Sequence, residues 1–134
     1  MATNTEIDPV AFLGAIERAW QARDGEAAAA GYSEDAVLIF GNGQRRTGQE
    51  LRAWPQRWFD FATDLQIKKR LCAFSDDCLS GEWESRYTHP ETGRTMLERG
   101  AEFFWLRGEE IYLHHMYEHT WVEGEGDGGR WPAV

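Results

Sequence analysis

Leu65-Gln66-Ile67-Lys68-Lys69-Arg70-Leu71-Cys72-Ala73 is the stretch whose pattern decides the fold. Upstream of it apolar residues recur at helical spacing. From Asp64 onward they alternate: Leu65, Ile67, Leu71 and Ala73 against Gln66, Lys68, Arg70 and Cys72. Leu79, Gly81, Trp83, Ser85 and Tyr87 then alternate with Glu82, Glu84 and Arg86. A period of two with one apolar and one charged face predicts antiparallel strands with a wet side. Lys68 and Arg70 fall opposite Glu82 and Glu84 if the two segments pair as a hairpin around Ser75-Asp76-Asp77. Two more strands follow the turn His89-Pro90-Glu91-Thr92-Gly93. They span Thr95 to Leu106 and Ile111 to Val122, joined at Arg107-Gly108-Glu109-Glu110.

Working back toward the N-terminus, Asp8-Pro9 opens a first helix. Asp caps free amides and Pro suits the first turn. Phe12, Leu13, Ile16, Ala19 and Trp20 form its apolar stripe, and Asp24-Gly25 ends it. Glu26 to Gly31 predicts a short Ala-rich second helix, and Ala36 to Phe40 a short strand. Gly41-Asn42-Gly43 is a turn. Thr47 and Glu50 have the spacing of a reciprocal capping box. The third helix then presents Leu51, Trp54, Trp58, Phe59 and Ala62. Pro55 inside it predicts a kink or break near Ala53-Trp54.

With 134 residues, the chain predicts one domain over residues 1–122 and a tail over 123–134 rich in Gly and acid. Trp131 in that tail is a candidate to dock. The net charge of -9 argues against nucleic acid and anionic membranes as partners. Lys68-Lys69-Arg70 is the only run of three cations. The polar start, Met1 to Asp8, has no secretory pattern, and no apolar run reaches the roughly 18–20 residues of a membrane span. Cys72 and Cys78 flank a turn. A cross-hairpin disulfide and two free thiols in a cytoplasmic protein both fit, and compartment rules favour the thiols.

Helices first and a hairpin-rich sheet afterwards resemble the NTF2-like superfamily, and within it the SnoaL-like group. The resemblance rests on Trp20-Gln21-Ala22-Arg23-Asp24, Tyr32-Ser33-Glu34-Asp35-Ala36-Val37, the Gly48 helix start, and Arg107-Gly108-Glu109-Glu110-Ile111 with Tyr117 six residues on. It covers about residues 10–122. It implies an α+β cone, in which three N-terminal helices pack on a curved, mostly antiparallel sheet around one pocket. The group includes polyketide cyclases, ketosteroid isomerase and limonene-epoxide hydrolase. The isomerase base falls at about Phe40 and its tyrosine near Ile16, both apolar here. Its second carboxyl falls near Glu102. The hydrolase's last-strand aspartate falls at about Met116. Both specific activities are therefore excluded, and a cyclase-like acid/base chemistry stays in outline.

Strand parity, read with that family, turns Tyr112, His114, Met116 and Glu118 into the cone. His114 is then a candidate general base, oriented by Glu118 or Glu102. A dimer interface or a solvated face is the competing placement for these residues. Glu102 lies among Ala101, Phe103, Phe104 and Trp105, where desolvation would raise its pKa. A bulge would instead turn it outward toward Arg99 or Arg86. Those two arginines could bind an anionic or enolic oxygen, but the more ordinary reading makes them cross-strand surface partners of Glu84 and Glu98. Trp20, Phe40, Trp54, Trp58, Trp83, Tyr87, Phe104, Tyr112 and Met116 are candidates to line an aromatic pocket for a small apolar molecule. Tyr87 or Tyr112 could hold a ligand oxygen. His and Glu are good zinc ligands, but His115 and His119 are four apart on a strand, about 13 Å, so they could share a metal ion only through a bend, and no metal is expected. No cofactor motif is present. Three functions stay open: cofactor-free isomerase, cyclase or hydratase chemistry, a non-catalytic ligand-binding module, and an assembly domain. A homodimer through the outer sheet face is expected with any of them.

Overall fold

The computed structural model describes residues 7–125; Met1–Glu6 and the tail beyond Glu125, with Trp131, lie outside the described residues. The order is α1 (Pro9–Gln21), α2 (Gly25–Ala29), β1 (Tyr32–Phe40), β2 (Arg45–Thr47), α3 (Gly48–Phe61), β3 (Gln66–Ser75), β4 (Cys78–Thr88), β5 (Thr95–Arg107) and β6 (Glu110–Val122). The strands form one six-stranded sheet in the order β2-β1-β6-β5-β4-β3. Only β1 with β6 runs parallel. The fold is α+β, with three helices on one face of a mostly antiparallel sheet, as expected.

Asp8 caps α1 through bonds to the Val10 and Ala11 amides. Side chains of α1 and of the turn after it cover the free edge of β3. Glu17 accepts from the Lys69 amide at 2.6 Å, Gln21 donates to the Ile67 carbonyl at 3.0 Å, and Arg23 donates to the Leu65 carbonyl at 3.2 Å. Side chains thus satisfy the backbone groups that an edge strand would otherwise offer to another chain. Lys68 pairs with Glu84 and Arg70 with Glu82, in the register expected. Cys72 and Cys78 are free.

Several local expectations fail for physical reasons. Neither half of the capping box forms: Thr47 makes no side-chain cap bond, and the Glu50 side chain turns to Arg46 at 3.2 Å instead of reaching back. The helix α3 runs unbroken through Pro55, which is buried. The strand β1 starts four residues early, at Tyr32, because its polar start is held beside Ile111 of β6. The three-residue β2, which the pattern missed, pairs Arg46 with Leu38. Glu98 is not a surface partner of an arginine but is buried; Arg99 meets Glu84 at 3.5 Å and Arg86 meets Glu123 at 3.1 Å.

Two apolar clusters fill the space under the helices. One gathers Leu38, Leu51, Phe59, Ile67, Trp83 and Met116, with Trp20, Trp54 and Trp58 packed against it. The other gathers Leu13, Leu79, Phe104, Leu106 and Ile111. A polar seam divides them.

Candidate active site

Lys69 builds the near side of that seam. It shares β3 parity with Ile67 and Leu71, so its side chain enters the core rather than solvent. Its ammonium bonds Glu102 at 2.6 Å, and both side chains are almost fully buried, at 4% and 1% exposure. The same ammonium lies 4.9 Å from the Trp83 ring centre and 5.4 Å from that of Trp20. The other Glu102 oxygen meets His114 Nε2 at 2.9 Å, and His114 Nδ1 meets the Tyr32 hydroxyl at 2.7 Å. Phe104 stacks on the His114 ring at 4.2 Å.

One assignment of protons satisfies this whole row. Burial pushes the His114 pKa down, outweighing the pull of Glu102, so the ring is neutral near pH 7. Its Nε2–H donates to Glu102, and its Nδ1 accepts from Tyr32. Burial alone would raise the Glu102 carboxyl. The Lys69 ammonium and the His114 bond overcome it and bring the pKa down to about 2. The raised value expected from aromatic neighbours is therefore reversed by a lysine that the pattern had not placed.

The pocket itself lies on the other side of Lys69. An inner slot of about 30 Å³ is lined by Trp20, Trp54, Trp58, Ile67, Lys69, Trp83, Glu98, Met116 and Glu118. It has room for about two waters. It opens past Trp54, Met116 and Glu118 into a vestibule of about 370 Å³, walled also by Phe40, Gly41, Asn42, Gln44 and Arg46. Glu98 and Glu118 meet at this junction. Glu98 accepts from Trp83 Nε1 at 3.0 Å, Ser85 Oγ at 3.0 Å and Thr120 Oγ1 at 3.2 Å. Glu118 shares a hydrogen bond with Glu98, and its pKa rises to about 8, first through lost hydration and then through the Glu98 charge. As Glu118 is exposed at the mouth, Glu98 beside it is the firmer cause. The Trp54 indole N–H, at the same junction, is buried without a hydrogen-bond partner.

The expected residues thus divide. Trp20, Trp54, Trp58, Trp83, Met116 and Glu118 line the slot, and Phe40 lines the vestibule. Glu102 and His114 are sealed behind Lys69 and touch neither space. Glu118 does not orient His114, since four strand residues separate them by about 13 Å; Glu102 and Tyr32 do. Tyr87 stands behind Trp58, with its ring 5.2 Å away, and burial, with Glu98 and Glu118, raises its hydroxyl to about 12. Phe104 belongs to the second cluster. Tyr112 lies elsewhere, under Arg107 and 3.5 Å from Asp77. A register shift between Trp105 and Leu106 breaks the alternation, so Ile111 and His114 point inward and Tyr112 does not.

Lys69 and Glu98 are the site residues the sequence reading missed. Parity marks both: Lys69 falls between Ile67 and Leu71, and Glu98 is two steps of two from Glu102. Among the described residues, no group of three or more His, Cys, Asp or Glu side chains could hold a metal ion.

The family model for the SnoaL-like domain matches residues 14–114. No functionally curated protein matches the chain. Solved structures do. One is a protein of ketosteroid isomerase-like fold from Catenulispora acidiphila, in complex with trimethylamine, with a TM-score of 0.71, 18% identity, and 79% of this chain and 83% of that one covered. The epoxide hydrolase/cyclase-like enzyme SalBIII, with a role in pyran ring formation in salinomycin, gives 0.74 at 14% identity over 85% and 95%. An LEH-like epoxide hydrolase of M. tuberculosis gives 0.64 at 13% over 83% and 82%. These identities speak for the fold, and the chemistry has to come from the residues.

Proposed function

The chain belongs to the SnoaL-like domain family, and on that premise we propose that it is a cofactor-free acid/base enzyme for a small apolar, carbonyl-bearing molecule. The observation that carries this is the Glu98–Glu118 carboxyl pair, set where an aromatic slot meets an open vestibule. Two carboxyls in contact hold a proton that single ones release, which brings Glu118 near the working pH of a proton-transfer group. In an isomerisation, ionised Glu118 takes a proton from the carbon next to a carbonyl. The Lys69 ammonium, at the slot wall, offsets charge on the enolate oxygen. Glu118 returns the proton at another carbon, so nothing is consumed. Aldol-type cyclisation, dehydration and hydration use the same two roles.

This moves the catalytic assignment from Glu102 and His114 to Glu118, with Glu98 holding it and Glu102 and His114 anchoring Lys69. Trp20, Trp54, Trp58 and Trp83 form the apolar wall. The outer sheet face carries a groove of about 360 Å³ lined by Lys68, Arg70, Glu82, Glu84 and Arg99 among others. That mixed charge suits a polar homodimer contact. The free thiols fit a reducing, cytoplasmic setting, and no helix among the described residues is long and apolar enough to cross a membrane.

The narrowness of the inner slot favours one other reading, a ligand-binding module that holds a molecule in the vestibule without turning it over. Proton–deuterium exchange at the α-carbon of 2-tetralone, followed by NMR in deuterium oxide, separates the two. The enzyme reading expects catalysed exchange that falls about 100-fold or more in Glu118→Gln. Exchange at the uncatalysed rate with 2-tetralone bound, or unchanged by Glu118→Gln, gives the binding module.

A further inference from the structure

Arg46 is a charged residue on the wrong face of the sheet. It pairs directly with Leu38 in the β1–β2 hairpin, and directly paired residues share a face. Leu38 is fully buried in the core, so Arg46 projects over the same inner surface, at the edge where the helices leave the vestibule open. A cation set over an apolar inner face without a buried partner is a local inconsistency of the kind found at functional sites.

Its present partners are weak. Nε meets Glu50 at 3.2 Å, but Glu50 is 55% exposed, and a pair of that kind contributes little. Nη1 donates to the neighbouring Arg45 carbonyl at 3.1 Å, and Nη2 makes no hydrogen bond among the described residues. The guanidinium lies 5.2 Å from the Phe40 ring centre, and Phe40 meets Trp54 edge-on at 5.2 Å. Arg46, Phe40 and Trp54 are therefore one continuous wall of the vestibule, cationic at the rim and aromatic toward the slot. Asn42 and Gln44 add polar groups at the same rim. A flat ring against Trp54 would lie between the guanidinium and Glu118, which line the same vestibule.

We propose that Arg46 is the specificity residue of this pocket, and that the pocket takes an apolar ring carrying an anionic oxygen: a carboxylate, enolate or phenolate. The inference rests on the pocket assigned above but not on its catalysis. A guanidinium offers two parallel donors to a carboxylate and a charge-assisted bond to an enolate or phenolate, which a neutral alcohol cannot match. Trp54, whose buried indole N–H has no hydrogen-bond partner, belongs to the same wall. The vestibule's own carboxylic acid, Glu118, tolerates an anion beside it as long as it keeps its proton, and donates to it.

The test is a titration of the whole protein with 2-naphthoate, 2-naphthylmethanol and 2-naphthylmethylammonium, by calorimetry and by the Trp54 indole N–H signal in NMR. The naphthoate is expected to bind at least about tenfold tighter than the alcohol. Arg46→Gln should bring the naphthoate down to the affinity of the alcohol and leave the alcohol unchanged. Glu50→Gln, which frees the guanidinium, should strengthen naphthoate alone. Equal binding of acid and alcohol, indifference to Arg46→Gln, or no binding at millimolar ligand overturns the proposal. Tighter binding of the ammonium also overturns it, since Glu98 and Glu118 would then set the preference. Anion binding through Arg46, with tetralone exchange unaffected by Glu118→Gln, would keep this inference and remove the enzyme reading.

Discussion

Glu98 and Glu102 sit four residues apart on the inner face of β5, and the protein treats their charges in opposite ways. Glu102 has a cation on one oxygen and an imidazole donor on the other, and it is sealed from both cavities. Glu98 has three neutral donors and a second carboxyl. The first arrangement lowers the pKa of Glu102, and the second raises that of Glu118, the carboxyl beside Glu98. A charge with all its partners inside the protein has nothing left to offer a ligand. A carboxyl that can be relieved only by a proton, or by something arriving through the vestibule, does. Burial of a titratable group is thus a poor guide to catalysis until its partners are counted.

The comparison breaks most visibly at Lys69. Lys69→Met removes the cation and leaves Glu102 buried without its counter-charge, which costs about 3–5 kcal/mol of stability. Urea unfolding measures it. The double variant Lys69→Met, Glu102→Gln should recover most of the loss. If the single variant is as stable as the parent, the row is not a paired buried ion and the seam has been misread.

Glu118→Gln should do the reverse. It removes a repelling carboxyl, so stability near pH 8 holds or rises, while tetralone exchange falls about 100-fold or more. The pH dependence sharpens the contrast. Glu118 is raised from 4.5 to about 8 in the folded protein, so between those values the native state binds the extra proton. Its contribution is complete below about pH 4.5 and is lost as pH climbs through 8. Glu102 is lowered from 4.5 to about 2, so its contribution is present above 4.5 and is lost as pH falls toward 2. Melting temperatures from pH 3 to 9 should show both slopes. Only the alkaline one should disappear in Glu118→Gln; persistence of that slope would assign it to another group.

Gly100→Ala is the next smaller effect. Trp83 lies across Gly100, so that a methyl there would clash with Trp83 Cζ2. The indole must move, at about 1–3 kcal/mol. As Trp83 holds Glu98 and faces Lys69, both halves of the site shift together. An unchanged melting temperature would mean that Trp83 has room the packing does not show.

Much of this was legible in the chain and some was not, and the division is physical. Long amphipathic segments such as α1, α3 and the β3–β4 hairpin write their period into ten or more residues. The three residues of β2 cannot, and their pairing is set by Leu38 across the hairpin. Tyr112 was assigned by extending one alternation through a bulge. The inward face of the aromatic wall and of Glu118 was legible because residue type and parity agreed, although Glu118 was placed as a partner of His114 and stands beside Glu98 instead. Lys69 and Arg46 were not, because a cation on an apolar face looks like noise until the facing carboxylate or the empty vestibule is seen. His114 drew notice as the usual proton carrier near neutral pH. Its real role is set by Tyr32, which lies 82 residues away in sequence.

Tyr32→Phe is the smallest change and tests the sealed half at its far end. The ring stays, and only the hydroxyl that donates to His114 Nδ1 is lost. His114 cannot turn its proton to that nitrogen without abandoning Glu102. Nδ1 is therefore left as a buried, unpaired acceptor, and the cost is about 1–2 kcal/mol. The nitrogen NMR shifts of His114 should still show a neutral ring protonated on Nε2, and 2-naphthoate binding should be unaltered, because the slot begins beyond Lys69. If binding or exchange falls along with stability, the row from Tyr32 through His114 to Glu102 acts on the ligand, and the division between a structural seam and a reactive pair has to be given up.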